Sequence, residues 1–244
     1  AQLFARNNWT VYNLSRRPAQ QQGVTDIAVD VADEAAVQSA FAQIREETEH
    51  LDLLINNAGY GISGAVEFTQ LEEAKRLFNV NFFGVVACIK AALPILRKSQ
   101  GRIICISSAA AVFAIPFQSF YSATKAALNT LVNALANELK PFAVSVCALQ
   151  LGDVKTDFTD ARAKSQVGDD IYAGAIARSV AVMEIDEQRG MKPETIAQVV
   201  YRIANKPRIK PLYTIGVKYK LFVLLHRLLP NRFVNWLVGK VYIE

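Results

Sequence analysis

The sequence predicts an α/β protein with a Rossmann-like, doubly wound parallel sheet between two layers of helices. Three observations support this fold class. Short apolar segments alternate with longer segments whose apolar residues recur at helical spacing. The short segments are apolar on both faces, as strands are in a parallel sheet that is covered on both sides. A length of 244 residues, of which 52% are hydrophobic, provides the core of one such domain.

The predicted elements follow one another regularly up to residue 216. The strands are short and bounded by turn residues, and they cover residues 9–14, 26–30, 51–55, 102–107, 143–149 and 213–216. The helices cover residues 34–49, 70–98 and 120–139. Asp33 and Thr69 stand where the N-caps of the first two helices are expected, and Pro141 follows the end of the third. Residues 1–216 therefore form one predicted domain.

The composition argues against several classes of protein. Cys88, Cys105 and Cys147 are far apart in apolar segments, so we expect buried free thiols in a reducing compartment. His50 and His226 share no motif, which argues against a zinc site or a Ser/His/Asp triad. No signal peptide is recognised, and no continuous apolar run reaches the ~18 residues of a membrane span. We therefore expect a cytoplasmic protein.

The net charge of +5 is concentrated towards the C-terminal end. Residues 189–244 contain eleven Lys and Arg against two Asp and Glu, whereas residues 1–188 contain sixteen against twenty. The C-terminal quarter of the chain is therefore basic and the remainder mildly acidic. This distribution does not predict a uniform nucleic-acid-binding surface.

The sharpest chemical pattern spans residues 107–125. Ser108 ends a predicted strand, and Tyr121 and Lys125 lie at i and i+4 on the next helix, so they share one helix face. A free phenol has a pKa of about 10, and an adjacent ammonium lowers that pKa, which makes the tyrosine a usable general acid or base. The Ser108 hydroxyl can hold a carbonyl oxygen. A Tyr-x-x-x-Lys spacing also arises by chance. Its position after a strand that ends in serine is what favours a catalytic role.

Several further segments make the sequence resemble the short-chain dehydrogenase/reductase family. Asn-Asn-Ala-Gly at residues 56–59 is similar to the signature after the family's fourth strand, and residues 81–84 are similar to its Asn-x-x-Gly segment. Residues 101–108 resemble the strand that bears the catalytic serine, with the family's spacing to the tyrosine. Asp30-Val31 resembles the pair beside the adenine ring. The resemblance extends over nearly the whole chain.

The resemblance implies hydride transfer between a nicotinamide cofactor and a ketone or secondary alcohol. In that interpretation, Tyr121 moves the proton and Lys125 binds the nicotinamide ribose and lowers the tyrosine pKa. Ser108 orients the substrate carbonyl, and Asn81 anchors a water in a proton relay. An alternative for Asn81 is a helix-kinking asparagine bonded to backbone. An alternative for the whole chain is a non-catalytic, nucleotide-sensing or scaffold member.

The resemblance also implies a set of cofactor-binding residues in loops after the strands. They are Asp30, Val31, Asn57, Ala58, Gly59, Tyr121, Lys125, Gly152, Val154 and Thr156. Leu151 stands where the family usually has a proline, which weakens the argument for the last three residues without removing it.

The choice of cofactor is predicted from Ser15, Arg16 and Arg17, directly after the second family strand. An acidic residue at this place would bind the ribose diol of NAD. Two arginines and a serine instead suit a 2′-phosphate, so NADP(H) is favoured over NAD(H). The alternative is a solvated basic turn before Pro18.

Two glycine patterns bear on the phosphates of the cofactor. Residues 59–64 fit G-x-G-x-x-G, but the next predicted helix begins only after Thr69, so no helix N-terminus faces a phosphate there. The family's own glycine-rich turn, and the strand before it, are absent from the sequence. That strand is central in a doubly wound sheet, so we expect the natural polypeptide to carry about twenty further residues before Ala1.

Residues 217–244 form a strongly apolar, basic-edged extension that predicts two short helices broken at Pro230. They could pack on the domain or a partner subunit, cover a hydrophobic substrate site, or make a peripheral membrane contact. Residues 78–158 look most like the 17-beta-hydroxysteroid and retinol dehydrogenase group. A small apolar carbonyl or alcohol, steroid-, retinoid- or lipid-like, is therefore the favoured substrate. The family resemblance also implies a homodimer or homotetramer.

Overall fold

Strands and helices alternate along the chain. The computed structural model describes residues 1–156 and 158–243, without the side chain of Asp160. Its strands are β1 (Val11–Ser15), β2 (Val24–Ala28), β3 (Leu53–Asn56), β4 (Ile62–Ser63), β5 (Arg102–Ser108), β6 (Ser145–Leu151), β7 (Ala163–Lys164) and β8 (Leu212–Ile215). Its α-helices are α1 (Gln2–Ala5), α2 (Glu34–Glu47), α3 (Leu71–Phe78), α4 (Gly84–Ser99), α5 (Ser119–Glu138), α6 (Phe158–Ala161), α7 (Ala175–Gln188), α8 (Pro193–Ala204), α9 (Val217–Leu228) and α10 (Asn231–Tyr242). A π-helical turn, Asn79–Phe83, joins α3 to α4.

The strands pair in parallel. One sheet has the order β3-β5-β6-β8, β1 pairs with β2, and the two-residue strands β4 and β7 pair with each other. β5 and β6 stay in register from Arg102 opposite Ser145 to Ser108 opposite Leu151. Their carboxyl ends therefore meet at one edge, where doubly wound sheets bind their ligands.

Both faces of the main sheet are buried. On β5, Ile103 and Cys105 pack with α2, α4 and α5, whereas Ile104 packs on the opposite face with α1 and α8. β6 alternates in the same way, with Ala148 on the first face and Leu149 on the second. The predicted three-layer α/β/α fold is confirmed, and the apolar character of both strand faces has this physical cause.

β1 and β3 face each other without being hydrogen-bonded in the described part of the chain. A cavity between them is lined by residues 11–14 of one strand and 53–55 of the other. This is the place of the central strand in a doubly wound sheet. The expectation of further residues before Ala1 stays a prediction.

The two predicted N-caps have different outcomes. Asp33 caps α2, and its carboxylate accepts hydrogen bonds from the backbone of Ala35 and Ala36. The prediction for Thr69 is wrong, because its hydroxyl donates to the Ala65 carbonyl at 2.9 Å and α3 begins after Gln70. A threonine in a turn commonly bonds to the backbone of that turn instead of capping the next helix.

The helical stretch Leu71–Ser99 is long and apolar enough to cross a membrane by length and composition. However, 56% of its most apolar window is buried inside the protein. Ala91, Ala92 and Leu96 of α4 belong to the core against α2 and the sheet. We therefore interpret this stretch as a core helix of the domain.

The three cysteines are buried free thiols, as predicted. Burial raises the pKa of Cys88 to about 11 and the pKa of Cys105 and of Cys147 to about 12.

Candidate active site

Ser108, Tyr121 and Lys125 meet at the carboxyl edge of the main sheet. Ser108 is the last residue of β5, and Tyr121 lies in the first turn of α5, one turn before Lys125. Ser108 lies close enough to the Tyr121 phenol to influence its pKa. The Lys125 Nζ lies 5.7 Å from the centroid of the Tyr121 ring and donates to the Ile106 carbonyl at 2.8 Å. The structure therefore brings together the three residues that the sequence pattern singled out.

The charges of this group differ from the expectation. Burial raises the pKa of Tyr121 to about 12, and the nearby Ser108 hydroxyl opposes that rise. Burial also lowers the pKa of Lys125 to about 8. The net pKa of Tyr121 is thus raised and not lowered, because the cost of burying a phenolate dominates, and the effect of Lys125 on it stays a prediction. Tyr121 is a neutral phenol at physiological pH, which is the form that donates a proton.

Asn81 lies in the π-helical turn and is fully buried. Its Nδ2 donates to the Tyr60 carbonyl at 2.9 Å, and its Oδ1 accepts from the Tyr60 backbone N–H at 3.1 Å. Nδ2 also lies 3.3 Å from the hydroxyl of Thr124 on α5. The side chain thus ties the loop after β3 to α5, as the backbone-bonded alternative expects. Its role with a relay water stays a prediction.

Most of the predicted cofactor residues line one cavity, whose volume of about 1630 Å³ includes the gap between β1 and β3. These residues are Ser15, Val31, Asn57, Ala58, Gly59, Tyr121, Lys125, Gly152, Val154 and Thr156. The described side chains of Arg16, Arg17 and Asp30 are exposed and stand outside this lining. The Ser15 hydroxyl is engaged, since it donates to the Arg17 carbonyl.

The loop after β3 runs close to two of the predicted site residues. A Cβ on Gly59 would lie 3.1 Å from the Asn81 Oδ1 and 3.6 Å from the Lys125 Nζ. Gly59 therefore lies beside a buried ammonium and an amide oxygen. Such a lining suits a ribose, whose hydroxyls both donate and accept hydrogen bonds. The residues present fit the nicotinamide end of a dinucleotide.

Sequence reasoning missed a contact between the loop after β6 and α9. The Tyr219 hydroxyl donates to the Asp153 carboxylate, and burial raises the pKa of Asp153. A Cβ on Gly152 would overlap the Tyr219 ring, so only glycine allows the ring to pack here. The acid between Gly152 and Val154 was visible in the sequence, but its partner 66 residues away carried no signal.

A second missed feature is a buried ion pair between Arg162 and Glu187, beside Tyr121. The Arg162 guanidinium lies 5.6 Å from the Phe158 ring centroid, and that ring lies 5.7 Å from the Tyr121 ring. Thr159 donates a further hydrogen bond to Glu187 at 2.6 Å. Among the described residues, the Nε and Nη1 of Arg162 have no partner. Arg162 favours the Tyr121 phenolate and Glu187 disfavours it.

The two predicted C-terminal helices are present as α9 and α10, with Pro230 between them, and residue 244 lies outside the described residues. They contribute Phe222, His226 and Leu237, among others, to the cavity lining. Phe113, in the loop after Ser108, makes edge-to-face contacts with the rings of Phe222 and His226 at 6.1 and 5.5 Å. The helices therefore pack on the domain and cover the cavity, with aromatic contacts on the loop that follows Ser108.

Comparisons with known proteins agree with this geometry. Residues 3–167 match the model of the short chain dehydrogenase family. A 3-ketodihydrosphingosine reductase of Bacteroides thetaiotaomicron is 41% identical over 210 residues, which cover 84% of this chain and 78% of that protein. A probable short-chain type dehydrogenase/reductase of Helicobacter pylori is 34% identical over 236 residues, which cover 94% and 87% of the two chains.

Solved structures give the same result for the fold. A short-chain dehydrogenase from Streptomyces avermitilis superimposes with a TM-score of 0.82 at 26% identity, covering 91% of this chain and 84% of that one. The structure of ElxO with NADP bound has a TM-score of 0.73 at 23% identity, with 90% and 92% covered. The chain therefore belongs to the short-chain dehydrogenase/reductase family, and it is an oxidoreductase of CH–OH and keto groups on an NAD(P)-binding Rossmann-like fold.

Proposed function

We propose that this protein reduces a long-chain, apolar ketone to the secondary alcohol with NADPH. The observation that carries the proposal is the position of Ser108 and Tyr121 in a cavity whose outer wall is built from the apolar side chains of α9 and α10. A long hydrocarbon chain gains about 0.8 kcal/mol for each CH₂ group that such a wall removes from water.

In this reaction the reduced nicotinamide supplies the hydride that the carbonyl carbon accepts. The Ser108 hydroxyl holds the carbonyl oxygen, and the Tyr121 phenol transfers its proton to the same oxygen as negative charge develops there. The phenol then regains a proton from water, so one ketone, one NADPH and one proton give one alcohol and NADP⁺. Lys125 holds the nicotinamide ribose with its ammonium. Because its pKa is raised to about 12, Tyr121 is protonated before the step.

We further propose a long-chain 2-amino ketone as the substrate, and 3-ketodihydrosphingosine is the compound to test. Two carboxylates, those of Asp153 and Asp186, line the same cavity, whereas the charge of Glu187 is paired with Arg162. Their charge suits an ammonium group next to the reacting carbonyl. The name of the Bacteroides thetaiotaomicron relative, at 41% identity, supports this choice.

For the cofactor, we propose NADPH over NADH. Arg16 and Arg17 follow β1 directly, and both side chains are exposed and able to contact a 2′-phosphate. Replacing both with alanine should weaken NADPH binding by about 10–100-fold, the range expected from losing one charge-assisted contact. NADH binding should stay unchanged, and R208A, a variant at another exposed arginine, should change neither affinity. Equal losses for both nucleotides would contradict a role in 2′-phosphate recognition.

The catalytic proposal is tested by NADPH consumption with 3-ketodihydrosphingosine, with the long-chain ketone that lacks the amino group, and with a short ketone. Wild-type protein should prefer the first compound and reject the third. Y121F should lower kcat about 10²–10⁴-fold, the usual contribution of a general acid, while the NADPH affinity changes little. Y172F removes the hydroxyl of a half-buried tyrosine that bonds Glu67 outside the cavity lining, and it should leave turnover unchanged.

Two results would contradict parts of this proposal. Full activity of Y121F would remove the proton-transfer mechanism. Nucleotide binding without turnover of any ketone would favour the non-catalytic alternative.

A further inference from the structure

α9 and α10 each carry two apolar faces. The inward faces cover the cavity, whereas the outward faces carry large hydrophobic side chains that are exposed. On α9, Val217, Leu221, Leu224 and Leu228 recur at intervals of four, three and four residues, and they are 53% to 85% exposed. On α10, the most exposed ring is that of Trp236, at 53%. We call the segment 217–243 the C-terminal hairpin. Its outward side is apolar, although that side does not pack against the rest of the described chain.

The exposed apolar surface is concentrated in this hairpin. Of the eighteen large hydrophobic residues that are exposed in the described chain, eleven lie in residues 217–243. Leu221, Leu224, Leu228 and Trp236 do not line the cavity, so the covering of the substrate site does not explain them. Contiguous exposed apolar surface of this kind marks an interaction site.

The charge of the hairpin selects the kind of partner. Residues 217–243 contain five Lys and Arg and no Asp or Glu. All five basic residues are exposed, Lys220, Arg227 and Arg232 among them. Basic residues beside an apolar helix face, with an aromatic ring on that face, are the composition of helices that lie in the interface of an anionic bilayer.

We propose that the outward face of the C-terminal hairpin docks the protein on the surface of an anionic lipid bilayer. Because the inward face of the same two helices covers the cavity, docking brings the wall of the substrate site to the membrane surface. A long-chain substrate dissolved in the bilayer would then reach the site without crossing water. The docking itself goes beyond the proposed reaction and holds or fails without it.

The test is flotation of the 244-residue protein with vesicles of phosphatidylcholine alone or mixed with phosphatidylglycerol, without any substrate. We expect binding to the mixed vesicles, weaker binding to the neutral ones, and loss at high salt because the charges are screened. L221D/L224D should lower the partition coefficient at least about tenfold, since two charges replace the apolar contact. L71D replaces a leucine that is 65% exposed on α3, and it should bind like wild type.

A spectroscopic readout covers the case in which L221D/L224D does not fold. The only tryptophans are Trp9 and Trp236. In a W9F background, the emission of Trp236 should shift to shorter wavelength on mixed vesicles and be quenched by brominated lipid. K220Q/R227Q/R232Q should reduce the preference for anionic lipid while leaving the helices intact by circular dichroism.

Three outcomes would overturn the docking proposal. Wild-type protein could fail to float with mixed vesicles, or L71D could lose binding as much as L221D/L224D does. Wild-type protein could also be a dimer by sedimentation velocity that L221D/L224D converts to a monomer, with no vesicle binding, and then a second copy covers this face. Because no turnover is measured, a failed ketone assay leaves these outcomes separate from the proposed reaction.

Discussion

Replacing Glu187 with glutamine removes the charge of a buried ion pair while it keeps the size of the side chain. The Arg162 guanidinium is 4% exposed and would retain its charge without a carboxylate beside it. Breaking one side of a buried pair costs on the order of 3–5 kcal/mol, because the remaining charge stays buried. For a chain of this length each kcal/mol lowers Tm by about 2–4 °C, so E187Q should lose roughly 6–20 °C.

The assay is thermal unfolding by differential scanning calorimetry, with the exposed pair of Lys90 and Glu34 as the matched control. The atoms of that pair are 2.6 Å apart and both side chains are about 60% exposed, so E34Q should cost less than about 1 kcal/mol. The double variant R162M/E187L removes both charges and should be more stable than E187Q. A Tm of E187Q within the range of E34Q would refute the reasoning and would mean that water reaches the Arg162 side chain.

Three further results are expected. G152A should cost about 1–3 kcal/mol in urea unfolding, because its Cβ meets the Tyr219 ring, and the same change should cost almost nothing in a Y219A background; equal costs in both backgrounds would exclude the ring as the cause. Lys125 has a pKa of about 8 when folded and 10.5 when unfolded, so between these values only the unfolded chain keeps the proton and stability rises with pH. Wild-type protein should therefore gain about 3 kcal/mol relative to K125M from pH 8 to 10.5, and a constant difference would contradict the burial of the ammonium. The three thiols are buried with raised pKa values, so Ellman's reagent should label them only after unfolding, and rapid labelling of the native protein would contradict their placement.

Local patterns in the sequence predicted much of the fold. Asp33 was correctly placed as the cap of α2, because the signal and its effect lie within three residues. The Ser108, Tyr121 and Lys125 group was found because a strand end and one helix face bring these residues together by regular geometry. The same reasoning placed two helices on either side of Pro230.

The features that sequence reasoning missed depend on distant parts of the chain. The Arg162 and Glu187 pair joins the segment after α6 to the end of α7, and the Tyr219 contact joins α9 to the loop after β6. No spacing rule relates such residues. The direction of the Tyr121 pKa shift was missed for a related reason. The i, i+4 spacing predicts a neighbouring ammonium, but it does not predict the burial that raises the pKa of the phenol.

The π-helical turn at Asn79–Phe83 makes the geometry of this helix depend on the number of residues in the turn, which point substitutions do not change. A π turn holds one residue more than an α turn, so deleting one residue there would restore a regular helix. The backbone would lose its irregularity, and α3 and α4 would keep their relative rotation because only the extra residue of the turn is lost. The side chains within the turn would be re-spaced, so Asn81 would leave the Tyr60 backbone, with which it shares two hydrogen bonds. A single-codon deletion at this point would therefore make the helix regular and remove the contact by which Asn81 holds the loop after β3.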